Sequence, residues 1–106
     1  MMQKLGTPRF LVRRMSDEEK TLELQATNAD LVLWDMTRVK HRWPKFDEAP
    51  FLWMTFLSWA AARRTGTITP EITFEEWKAD VLEVTNPDVE PDDESGNPTL
   101  ADQDSG

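Results

Sequence analysis

Few side chains in this sequence could do chemistry. There is one histidine, His41, and no cysteine. A metal centre needs converging ligands, which a lone imidazole cannot supply. Without thiolates there are no disulfides, thiol nucleophiles or cysteine-based zinc sites. His41 lies in the run Lys40-His41-Arg42 near an expected helix end. Basic groups complement the dipole there, so it reads as a surface residue rather than a catalytic one. The carboxylates of Asp17-Glu18-Glu19 read as a polar connector, and those of Glu75-Glu76 as a first helical turn, not as acid/base pairs. The acidic residues near the C-terminus lack the spacing of a calcium loop. The four glycines, at 6, 66, 96 and 106, form no phosphate-cradling loop. No catalytic residue, metal site or cofactor is expected, and the chain reads as a binding protein rather than an enzyme.

Charge narrows the class of partner. The net charge is −8, but residues 1–85 hold all 12 Lys and Arg against 13 Asp and Glu. Residues 86–106 hold seven acidic residues and no basic one. The acidity is therefore local to the C-terminal segment. Arg13-Arg14, Lys40-His41-Arg42 and Arg63-Arg64 are short basic runs with acidic neighbours, not the clustered surface that phosphate binding needs. Nucleic acid is not expected as a partner. A membrane is not expected either: the most apolar stretch, Ala49–Ala62, is shorter than the roughly 20 residues a spanning helix requires. Met1–Phe10 has no apolar run of the signal-peptide kind.

The unusual chemistry is aromatic. Five Trp and five Phe occur, with no Tyr, and most crowd between Trp43 and Trp77. A small domain buries a modest share of its surface, so many of these residues must be core. Residues along one helix point about 100° apart per step, however, so two short neighbours cannot cover every face of Phe51–Arg64. The surplus predicts an interface, for a partner or for self-association. Trp43, Phe51, Trp53, Phe56, Trp59 and Trp77 are the candidate partner-binding residues.

These side chains need elements to hold them. Arg9–Met15 alternates, with Phe10 and Val12 on one side; Thr21–Thr27 alternates again through Leu22, Leu24 and Ala26. The two runs are expected to pair as a hairpin over 9–27 with Ser16–Lys20 as its loop. Their Leu, Glu, Lys and Met residues keep a helix open as the alternative. Thr27 or Asn28 caps a helix over 28–42, whose Leu31, Trp34 and Val39 side faces the core, and Trp43-Pro44 ends it. Asp47 caps a second helix, over 48–65, with Pro50 in its first turn and Gly66 beyond its end. Apolar on almost every side, this helix should be central in the fold. Thr73-Phe-Glu-Glu76 is a capping box. It opens a third helix over 73–85, with Phe74, Trp77, Val81 and Val84 on one face. The expected fold is α+β, mainly α: one small domain over residues 1–85, then a disordered acidic tail over 86–106, where little apolar area is available to offset the cost of ordering.

The spacing Asp35-x-x-Arg38-x4-Trp43-Pro44, then Ala49-Pro50-x-Leu52-Trp53-x-Thr55-Phe56-Leu57-Ser58-Trp59-x-Ala61-x-x-Arg64-x-Gly66, then Phe74-x-x-Trp77, resembles the tail assembly chaperones of long-tailed, siphovirus-type bacteriophages of actinobacterial hosts. The resemblance covers roughly residues 28–85 and is one of aromatic and proline spacing. It implies a small acidic protein encoded just before the tape measure protein, the short product made alongside a frameshifted longer form. The implied partners are the apolar, helical tape measure protein and the tail tube protein. The implied location is the host cell cytoplasm, with the protein absent from the mature virion. Two other readings stand beside it. One is a small acidic phage-encoded inhibitor that mimics DNA, motivated by the C-terminal charges. The other is a structural tail or connector subunit.

Overall fold

A computed structural model describes residues 6–88. It is mixed α+β: a β-hairpin, three helices and a further strand. Strands β1 (Arg9–Arg14) and β2 (Asp17–Gln25) form the hairpin; helices α1 (Asn28–His41), α2 (Pro50–Arg64) and α3 (Phe74–Asp80) follow, and β3 (Val81–Thr85) completes the described elements. The sheet order is β2-β1-β3, with both pairings antiparallel.

The sheet is two-faced because β-strand side chains alternate. Phe10 pairs with Leu24, and Val12 with both Leu22 and Val84, so these five form one buried layer. The opposite face carries half-buried Leu11 among charged residues. Arg9 pairs with Glu23 and Asp88 there, and Arg13 with Glu83. The Arg9 guanidinium is held above its ordinary pKa, chiefly by the Glu23 hydrogen bond and then by Asp88. The expected hairpin is present, but its loop is only Met15-Ser16, and Asp17–Lys20 of the expected Ser16–Lys20 loop belong to β2. The register jumps between Arg13 and Arg14, so Glu18–Lys20 have no partner in β1. This short turn is held from outside: the Met15 amide donates to the Asp80 carbonyl at 2.7 Å, and the Ser16 amide and hydroxyl donate to the Asp80 carboxylate at 3.0 and 2.6 Å.

The third helix is shorter than its apolar spacing predicts. Its capping box forms as expected: the Glu76 amide donates to Thr73 Oγ1 at 3.1 Å, and the Thr73 amide donates to Glu76 Oε1 at 2.9 Å. The helix stops at Asp80, and Val81–Thr85 becomes β3 instead of its last turns. The open edge of β1 offers backbone partners, and three of these five residues are β-branched, which suits a pleated strand. Val84 meets the core in either conformation. That is why spacing alone did not separate helix from strand.

Helix α2 touches α1, α3 and all three strands, and is the centre of the fold as expected. It begins at Pro50 rather than at 48, since proline suits the first helical position and Ala49 precedes it as the cap. Its end is a Schellman motif. Gly66 sits at φ 77°, its amide donates to the Arg63 carbonyl at 3.2 Å, and the Thr67 amide donates to the Ala62 carbonyl at 2.9 Å. Asp30 of α1 is buried against Arg64 of α2 at 3.0 Å, and Arg64 also donates to the Gln25 carbonyl at 2.9 Å. This ion pair joins the start of α1 to the end of α2 and to the end of the hairpin. Of the segment expected to be a disordered tail, Asn86–Asp88 are described, with Asp88 paired to Arg9; residues 89–106 lie outside the described residues.

Candidate functional site: an aromatic groove and the outer face of α1

The six candidate aromatic residues divide into four sets. Trp77 is 1% exposed and donates its indole N–H to the buried Ser58 hydroxyl at 3.2 Å, which in turn donates to the Thr55 carbonyl at 2.9 Å. It is structural, and presents nothing to a partner. Phe51 lies at the opposite extreme, 71% exposed at the start of α2. Trp53 is half-buried on the sheet side, edge-on to Phe10 at 5.9 Å and against exposed Phe46 at 5.2 Å.

The remaining candidates, Trp43, Phe56 and Trp59, converge with Phe74 on one groove of about 470 Å³ between α1, α2 and the start of α3. Their rings form a continuous cluster. Phe56 lies 6.0 Å from Trp43, 5.4 Å from Trp59 and 5.4 Å from Phe74, while Trp43 lies 5.7 Å from Phe74. Phe56 itself is 2% exposed, so it is the groove's buried support rather than its surface. Trp43 and Trp59 are half-buried and show one side to the groove.

Each wall has a local cause. Trp43 is placed by the end of α1. Arg42 there adopts the left-handed conformation, φ 59° and ψ 38°, and turns the chain so that the Trp43 amide donates to the Arg38 carbonyl at 2.9 Å. His41 then stacks on Trp43 at 5.1 Å. Trp59 is fixed by its indole N–H, which donates to the Ile72 carbonyl at 2.9 Å. The guanidinium of Arg63 lies 4.7 Å over the Trp59 ring, while its Nε is buried without a hydrogen-bond partner. Leu33 and Thr37 of α1 complete one wall, and Thr73 and Glu75 the other.

Beside the groove, α1 carries a second apolar face. Leu31 and Trp34 point inward as expected, but Val39 does not: it is 65% exposed. With exposed Val32 and Leu33, and with Met36 at 66%, it forms a ridge at the i, i+1, i+4, i+7 positions of the helix. The spacing Ala29, Val32, Leu33, Met36, Val39 was readable as an amphipathic stripe opposite Leu31 and Trp34. Val39 belongs to this outer stripe, about 140° around the helix from Trp34, and not to the core side. Arg63 and Phe74 carried no comparable signal, since they reach the groove only when α2 and α3 pack.

Among the described residues no group of acidic or histidine side chains could hold a metal ion, and no helix is long and apolar enough to cross a membrane. No protein-family model, curated protein or solved structure matches the chain.

Proposed function

We propose that this chain is a phage tail assembly chaperone that binds the apolar helices of a tape measure protein. One observation carries the reading: the ridge Val32, Leu33, Met36, Val39 runs into the aromatic groove through Leu33, so the helical side of the molecule offers a long apolar surface with few polar groups. Such a surface fits an amphipathic helix laid into a groove, the recognition mode in which apolar side chains at i, i+3, i+4 and i+7 supply the anchors. The acidic residues from position 86 onward add a charge that keeps a complex with an apolar client soluble. The spacing from Asp35 to Trp77 that resembles the chaperone family supports the same reading.

Co-expression with the cognate tape measure protein tests it. The expected result is a soluble client that co-purifies with this chain, and loss of co-purification when Met36 and Val39 are both changed to Asp. A client that stays insoluble and never co-purifies overturns the proposal. Mass spectrometry of purified virions separates a chaperone, which is absent from them, from a structural subunit, which is present.

A further inference from the structure

Arg63 is placed to do more than pack. Three adjoining depressions share it: the aromatic groove, one of about 370 Å³ reaching Ala29 and Pro70, and one of about 280 Å³ beside Ile72. A segment lying along α2 would pass over this side chain. Its guanidinium is held over Trp59, which fixes where its donors lie. Its Nε–H is buried and unpaired, and a buried unpaired donor is costly until an acceptor arrives.

Of the carboxylates beside the two smaller depressions, Asp30 is paired with Arg64, while exposed Glu71 has no ion pair among the described residues. Among the described residues the ion pairs engage Arg9, Arg13, Arg64 and Lys78, so Lys40 and Arg42 at the groove end of α1, like Arg63, have no carboxylate partner. The one groove-lining carboxylate, Glu75, is occupied by Lys78 at 2.8 Å. An apolar floor, an orphaned guanidinium donor and unpaired cations at one end complement an apolar segment that also bears a carboxylate. Arginine suits this role because its planar fork binds carboxylate oxygens in a set geometry.

We propose that the groove selects partner segments in which an Asp or Glu flanks the apolar anchors, and that Arg63 is the specificity residue that receives this carboxylate. The inference rests on the helix-binding reading above and adds the chemistry of the bound segment.

Three synthetic helical peptides test it against the ¹⁵N-labelled full chain. Each has leucines at i, i+3, i+4 and i+7; they differ in carrying glutamate, glutamine or lysine at the flanking positions. The readouts are the affinity, the Arg63 Nε–H signal and the indole N–H signals of Trp43 and Trp59. The buried Trp77 indole reports that each variant is folded. The glutamate peptide is expected to bind about tenfold more tightly than the glutamine one at low salt, with the lysine peptide weakest, and to shift the Arg63 Nε–H signal. Arg63→Gln should erase the preference, so that the glutamate and glutamine peptides bind the variant with equal affinity. Arg63→Lys, which keeps a charge but loses the fork, should retain only part of it. Equal affinity for the glutamate and glutamine peptides, or a preference that survives Arg63→Gln, overturns the proposal while leaving the groove as a binding site. If no peptide moves the Trp43 and Trp59 signals, the groove reading fails and this inference fails with it. Should Arg63→Gln not fold, the wild-type comparison and Arg63→Lys still decide.

Discussion

Helices α1 and α2 are both apolar on more than one side, yet they stand in opposite positions. Helix α2 has α1, α3 and the sheet around it, and six consecutive or near-consecutive residues, Phe56 to Ser58 and Ala60 to Ala62, are buried. Helix α1 has α2 as its main neighbour and buries only Asp30 and Trp34. Among the described residues nothing lies over its outer ridge. The number of apolar faces on a helix therefore does not mark an interface; the number of neighbours available to cover them does. A second contrast runs through the whole molecule. The outer face of the sheet pairs Arg9 with Glu23 and Arg13 with Glu83, whereas the helical side pairs Arg64 and Lys78 but, among the described residues, leaves the α1 ridge uncovered and Lys40, Arg42 and Arg63 without carboxylate partners.

The largest expected effect tests the covered half of this contrast. Trp77→Ala should cost about 3–5 kcal/mol, the usual loss for a large buried aromatic side chain, because it opens a cavity and strips Ser58 of its indole partner. Natural stabilities are about 5–15 kcal/mol and small domains have little margin, so the variant should lose most of its stability. Urea denaturation followed by circular dichroism measures this. A stable Trp77→Ala protein would show that α2 and α3 are not sealed against each other as described, and would remove the distinction between core and groove aromatics.

Much of this arrangement was legible in the residues. The alternation of Phe10, Val12, Leu22 and Leu24 identified the buried face of the hairpin. Pro44, Pro50, Gly66 and the Thr73–Glu76 box marked helix ends within about two residues, because each acts through its own backbone. What stayed hidden depends on parts distant in the chain. The Met15-Ser16 turn has no turn-forming pair of its own and is secured by Asp80, 64 residues beyond Ser16. Val81 to Thr85 meets helical spacing as well as strand spacing, and only the free edge of β1 decides between them. Among the candidate residues, Trp43, Phe56 and Trp59 do converge, but Trp53 and Trp77 face elsewhere; helix rotation, not residue type, makes that division.

A middle-sized effect concerns the joint between the two helices. Arg42 holds a left-handed conformation that costs a non-glycine residue about 1–2 kcal/mol, and it does so to aim Trp43 at the groove. Arg42→Gly removes that strain but adds freedom to the unfolded chain. The net should be a gain of about 0.5–1 kcal/mol, or a few degrees in Tm for a domain of this size. Thermal unfolding checks it. Because Gly accepts the same backbone angles, the Trp43 indole signal should stay where it is; a lowered Tm would mean that the Arg42 side chain contributes more than its backbone strain costs.

The smallest effect on stability is expected where the contrast matters most for binding. Met36 and Val39 are about two-thirds exposed and touch little, so Met36→Gln with Val39→Gln should shift stability by less than about 0.5 kcal/mol. Gln is a better helix former than Val, which favours a slight gain. The same chemistry at buried Leu57 would unfold the domain, because an amide would be left there without partners. Urea midpoints and co-purification with the proposed client, a tape measure protein, measured on the same double variant, separate the two roles of apolar side chains in this small molecule. An unchanged midpoint with lost client binding identifies the α1 ridge as surface kept for a partner. A midpoint low enough to mean a loss of several kcal/mol would show that the ridge is already covered within the protein itself, and α1 would then be a second buried helix.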